Sequence, residues 1–374
     1  MVSKGQDRTK TRIVSVEVLR IVAMLGIAVF HTFQPWFEYV CTGPATPEAL
    51  LWRPSMLGTL GTIDQLGAWG NHVFIMISGC FLLPAAVKDA RAGERNTHDA
   101  VRRIGQVLLV VVPYAMVALL AGMVLPDITS ASVHSFRWLT RGLQFIWVYL
   151  TLIVLCPHLG RVLARLKHPG SVLAILTVIV YAINFYIAFV SPGEASRSLF
   201  EWRKLMSGVT YALSFVIGGW LSHKRFPLSY SGAFLLASIA LTVFVETYAS
   251  TRIDLTLLDA LSYKSTSPFA CAMATSCLAF ALAFPTDMKS QNTRIARVVT
   301  TATSGMLGFY VLQALFSSGW HQVSYGILYV ILQQHGQMAF IAVGIAFSFV
   351  FFAVLDLIDI LVRQPLVRPF VHGS

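Results

Sequence analysis

The chain has 374 residues, 56% of them hydrophobic and only 12% charged, with a formal net charge of +11 and a mean hydropathy of +0.69. A soluble domain carries about 25% charged residues, so the composition excludes an ordinary soluble enzyme and indicates a membrane-embedded protein. The basic balance does not indicate nucleic acid. No soluble module carries interleaved basic and aromatic residues, and in a multi-span protein excess Lys and Arg report orientation and anionic headgroups.

Apolar runs bounded by charges and by Pro and Gly clusters predict ten spans, at 13–36, 67–87, 103–125, 141–160, 171–190, 205–222, 229–249, 265–285, 301–319 and 337–361. Each is expected to be helical, because a lipid-exposed backbone must satisfy its own hydrogen bonds. The expected fold is therefore all-α: one integral-membrane domain over 1–374, a polytopic bundle of about ten helices with a basic tail at 1–12 and a second tail at 362–374. The basic tail ahead of an apolar run has the outline of a secretory signal. The run lacks a small-residue cleavage site and Arg20 interrupts it, so it reads as a retained first span.

That first span carries the densest chemistry. Arg20 and His31 are ionisable residues inside a membrane helix, where such groups are costly and mark functional sites. At about 100° per residue their separation of eleven positions returns to within roughly 20° of one direction, and they lie roughly 16 Å apart along the axis. Glu17, three residues before Arg20, falls near the same face and is positioned for an ion pair. Residues 37–66 are expected to form a long loop over the outer face. At the start of the second span His72 is a candidate cavity-lining residue. Ser78 and Gly79 follow, a small pair that favours close helix approach. Arg102 and Arg103 open the third span, where a basic pair anchors topology. Trp147 and Tyr149 read as packing or interface residues.

Lys and Arg counting gives direction. Loops on the N-terminal side carry nineteen and the opposite loops eight, with Arg20 completing the 28. By the positive-inside rule both termini are cytoplasmic, which places Glu17 and Arg20 toward the inner end of the first helix and His31 toward the outer. The five cysteines show no metal-type spacing, and neither a zinc site nor a disulfide framework is expected. A polar membrane bundle of this kind suits a transporter or flippase as well as an enzyme, but no internal repeat supports transport.

Five segments in order resemble the integral-membrane acyltransferase-3 family, bacterial enzymes that O-acylate surface glycans. They are Arg20 and His31 with ten residues between them; Gly70 to Leu83, around Ser78 and Gly79; Arg102-Arg103-Ile104 leading to Pro113-Tyr114; Trp147-Val-Tyr149 with Pro157; and Tyr263 to Pro268 with Ser265 between. Relatives often carry a histidine in the ninth helix where this chain reads Tyr310-Val-Leu-Gln313. Gln313 is thus a candidate cavity residue lacking a proton carrier, and His321 is expected to lie too far along the chain to replace it.

The resemblance implies an O-acyltransferase of the bacterial cytoplasmic membrane. It implies acyl-CoA, acetyl-CoA above all, as a donor substrate rather than a bound cofactor, and a surface glycan or lipid-linked saccharide as acceptor. Acyl transfer to a hydroxyl needs a base, and histidine, titrating near neutrality, is the usual one. His31 with Glu17 is then the candidate catalytic pair. Arg20, Arg102 and Arg103 are the candidate ligands for the donor's phosphates, which the planar guanidinium suits.

Overall fold

The computed structural model describes residues 13–42, 54–93, 98–190, 199–224, 226–252, 257–258, 261, 265–284 and 294–366. The 1–12 tail, residues 367–374 of the C-terminal tail and Tyr263 lie outside that set, as does 43–53 of the expected outer loop. Helices account for most of what is described, and no β-strand occurs among the described residues.

In chain order the helices are α1 (Val14–Thr42), α2 (Pro54–Arg91), α3 (His98–Val124), α4 (Gln144–Arg165), α5 (Pro169–Phe185), α6 (Leu199–Leu221), α7 (Leu228–Thr251), α8 (Pro268–Ala283), α9 (Arg294–Leu315) and α10 (Ser317–Ile358). Eight segments of the described residues are long and apolar enough to cross a membrane. Pro268–Ala283 is a shorter apolar helix. The protein is an all-α polytopic membrane protein.

α2 is the centre of the bundle, packed by α1, α4, α6, α7 and α8. Its glycines explain this position, because small residues let helix backbones approach when no hydrophobic force drives helices together in lipid. A Cβ on Gly70 would meet the Ala23 carbonyl oxygen and Ile27 of α1, and one on Gly67 would enter the Phe30 ring. The outer helices are apolar on the opposite criterion. Leu120 of α3, Val178 of α5 and Leu236 of α7 turn large aliphatic side chains outward, where the surrounding medium is lipid.

Two elements depart from the spans expected above. α2 begins at Pro54, so much of the anticipated 37–66 loop is helical: α1 continues to Thr42, and 54–66 belongs to α2. The connection expected between 319 and 337 is also helical. It forms the first half of α10 and folds back onto the second half at Gly336, whose φ of 78° and ψ of −176° are non-helical. A positive φ of this size favours glycine, which has no Cβ to clash. Hydropathy missed this segment because its polar residues, among them His321 and Gln322, lower the mean while its aromatics pack internally. Trp320 stacks on Phe351 at 3.2 Å and on Phe347 at 4.3 Å between ring centroids. Tyr325 stacks on Trp36 of α1 at 4.6 Å.

Candidate active site

A cavity of about 550 Å³ opens between α1, α2, α4, α6, α9 and the start of α10, a size typical of small-molecule sites. Its wall residues come from the late part of α1 and α9 and from the early part of α4, α6 and α10. In α4, α9 and α10 these residues lie toward the ends remote from the N-terminal side of the bundle, the outer side by charge counting, while His31 stands just past the middle of α1, Gly67, Ala68 and Asn71 near the middle of α2, and Tyr211 near the middle of α6.

His31 lines the cavity from α1. The helix is held in rotation by its contact with α10. Ser348 Oγ donates to Thr32 Oγ1 at 2.8 Å, and Thr32 donates to the Ala28 carbonyl at 3.0 Å. Phe33 packs edge-on against Phe340 at 5.3 Å. With Thr32 and Phe33 turned to α10, the preceding residue is directed to the cavity. Phe30 meets the imidazole edge-on at 4.7 Å. Gln34 reaches the His31 ring while its own Nε2 donates to Glu38 Oε1 at 2.8 Å. The second N–H of that amide and its oxygen are both left to meet the ring.

Opposite wall residues form a connected polar set. The Tyr211 hydroxyl has the Asn71, Ser207 and Ser265 side chains within hydrogen-bonding reach, and the Ser207 and Ser265 hydroxyls share a short hydrogen bond. Lys204 Nζ donates to Gln144 Oε1 at 2.6 Å at the rim. Gln313 is 3% exposed and lines the cavity beside Tyr310. Neither of its amide atoms has a hydrogen-bond partner among the described residues. A buried amide group in that condition costs about 1–3 kcal/mol.

The structure divides the sequence candidates into three groups. His31 and Gln313 meet in the cavity. His72 stands behind its wall: Nδ1 bonds Ser214 Oγ at 2.7 Å and Nε2 bonds the Ser265 carbonyl at 2.8 Å. A carbonyl only accepts, so Nε2 carries a proton. Ser78 donates to the Phe74 carbonyl within its own helix at 2.9 Å, and the neighbouring Gly79 makes the α2–α6 contact, where a Cβ would strike the Phe215 backbone. Glu17, Arg20, Arg102 and Arg103 are not among the cavity residues. Glu17 is buried and accepts from Arg20 Nη1 at 3.0 Å, while Arg102 is exposed and Arg103 half-buried in the first turns of α3.

One expectation is corrected. His321 was placed too far along the chain to serve near Gln313, yet it lines the same cavity, its ring against the His31 backbone. The reason is the fold of α10: its first half continues directly from α9 and keeps His321 little more than two turns from Gln313. Sequence reading also missed Asn71, Lys204, Ser207 and Tyr211. The one available signal was their type, polar residues within or beside apolar runs. Trp147, by contrast, donates to the Leu139 carbonyl at 2.7 Å and has no part in the cavity. Among the described residues no cluster of His, Cys, Asp or Glu could hold a metal ion.

Fold and site together define a polytopic helical membrane protein with an imidazole-bearing polar cavity. The sequence profile described as an acyltransferase domain, that of the acyltransferase-3 family, matches residues 13–358. The chain belongs to this family, and its activity is that of an acyltransferase. No curated protein and no solved structure matches the chain.

Proposed function

We propose that the protein is an O-acyltransferase of the bacterial cytoplasmic membrane. In this reading it moves an acyl group, acetyl before others, from cytoplasmic acyl-CoA to a hydroxyl of an extracytoplasmic glycan or lipid-linked saccharide, with His31 as general base. The observation that carries the reading is the position of His31 in a cavity lined by amide and hydroxyl side chains, on the outer half of the bundle if the loop charges set its orientation. An alcohol is a weak nucleophile until a base within hydrogen-bond reach takes its proton. The Gln34 side chain beside the ring orients it for that task, as a third group orients the base in other nucleophilic sites. The amides and hydroxyls of the wall both donate and accept, which suits a sugar.

The hydroxyl oxygen attacks the thioester carbonyl while its proton passes to His31. The tetrahedral intermediate collapses with loss of the thiolate, which recovers the proton from His31, and the ester departs. Arg20, Arg102 and Arg103 are on the cytoplasmic side by charge counting, where the donor's phosphates would be. Glu17 is bonded to Arg20, so its contribution to this scheme is to hold that cation rather than to touch the acceptor.

Purified protein in nanodiscs, given acetyl-labelled acetyl-CoA and cell-surface polysaccharide, tests the reading. Label should appear as ester on the glycan, and His31→Ala should lower the rate about 10²–10⁴-fold, the usual worth of a general base, with the fold intact by circular dichroism. Undiminished turnover in that variant would remove His31 as the base. Movement of saccharide across the bilayer without label incorporation would favour a transporter.

A further inference from the structure

We propose that Gln313 is a catalytic residue whose side-chain N–H donates to the acyl carbonyl oxygen as that oxygen becomes the tetrahedral oxyanion. The inference rests on the acyl transfer proposed above.

Three observations carry it. Gln313 is almost fully buried yet lines the cavity into which His31 projects. Both of its amide atoms are without a partner among the described residues. The other wall donors are each already engaged at least once: Lys204 with Gln144, and Asn71, Ser207 and Ser265 with Tyr211 or with one another. His321 Nε2 is also without a partner there. Whether that atom donates depends on the tautomer, whereas an amide nitrogen always carries protons. Gln313 is therefore a cavity donor with no partner among the described residues and with N–H groups that need no particular tautomer.

In the step, a lone pair of the acceptor hydroxyl oxygen forms the new C–O bond and its proton goes to His31. The carbonyl π pair moves onto oxygen, giving the anion that Gln313 binds. That pair then re-forms C=O, the C–S bond breaks, and the thiolate leaves with the bonding pair and takes the proton from His31. A preorganised donor aimed at the developing charge is worth about 10²–10³ in kcat.

The test uses the full chain in nanodiscs, acetyl-CoA as donor, and two acceptors, the glycan and hydroxylamine as a small surrogate. Gln313→Leu should lower kcat about 10²–10³-fold with both acceptors. Its Tm should not fall, because the substitution removes a buried unpartnered amide. Gln313→Met, of similar length but without an N–H, should lose activity alike and covers a misfolded Leu variant. Gln313→His, which presents an N–H to the cavity in one of its two neutral tautomers, should be more active than the Leu and Met variants. Rates within about threefold of wild type for Leu and Met would overturn the proposal, as would a loss confined to glycan KM, the signature of acceptor binding. Failure of the wild-type protein to transfer acetyl to either acceptor would overturn the proposed function and this inference together.

Discussion

His72 shows how a buried residue can serve the cavity without touching it. Its two nitrogens join α6, through Ser214, to the segment before α8, through the Ser265 carbonyl. Ser265 in turn belongs to the polar set around Tyr211. Replacing His72 by Ala leaves the hydroxyl and the carbonyl without that partner and opens a void. The expected cost is about 2–4 kcal/mol, read as a fall in Tm, and acyl transfer should weaken as the wall shifts. A Tm within about 1 °C of wild type would show that the bridge contributes nothing. The same reasoning separates His72 from His31: the first has both nitrogens engaged within the protein, the second faces the cavity.

Among the elements, α2 and α6 meet more closely than any side chain would allow. A Cβ at Gly79 would strike the Phe215 carbonyl, and one at Gly218 the Met76 carbonyl. The contact is reciprocal, and α6 supplies Lys204, Ser207 and Tyr211 to the cavity. Gly79→Val must push the helices apart, and overpacking of this kind costs about 1–3 kcal/mol. We expect a lower thermal midpoint in detergent, with loss of acyl transfer as the cavity wall moves. An unchanged midpoint would show that the two helices do not need this approach. The Ser78-Gly79 pair was legible in the sequence as a close-approach signal. Its partner at Gly218 was not, since nothing in a linear chain says which small residues face each other. The helical first half of α10 was illegible for a related reason: its aromatics are buried against α1 and the second half of α10, a pairing that hydropathy does not register.

For the molecule as a whole, the inequality of Lys and Arg between the two sets of loops predicts cytoplasmic termini. The cavity then opens toward the outside, and the Glu17–Arg20 pair lies toward the cytoplasm. In a background with the five native cysteines replaced, Gly93→Cys should react with a membrane-impermeant maleimide only from the inside. Asp127→Cys should react only from the outside. The reverse pattern would invert the assignment and with it the separation of cytoplasmic donor from external acceptor.

The sequence by itself determined the membrane class, the helical fold, the approximate spans and the shared face of Arg20 and His31. Those follow from local physics: a lipid-exposed backbone must close its own hydrogen bonds, and helical periodicity sets which neighbours align. Only the tertiary structure decided what His31 meets. Gln313 and His321 lie nearly 300 positions from it in the chain, and they reach one cavity because α9 and α10 fold back beside α1. Such meetings depend on which helix faces pack together, and that is settled by small-residue contacts and interhelical hydrogen bonds between distant segments, which no single stretch of sequence contains.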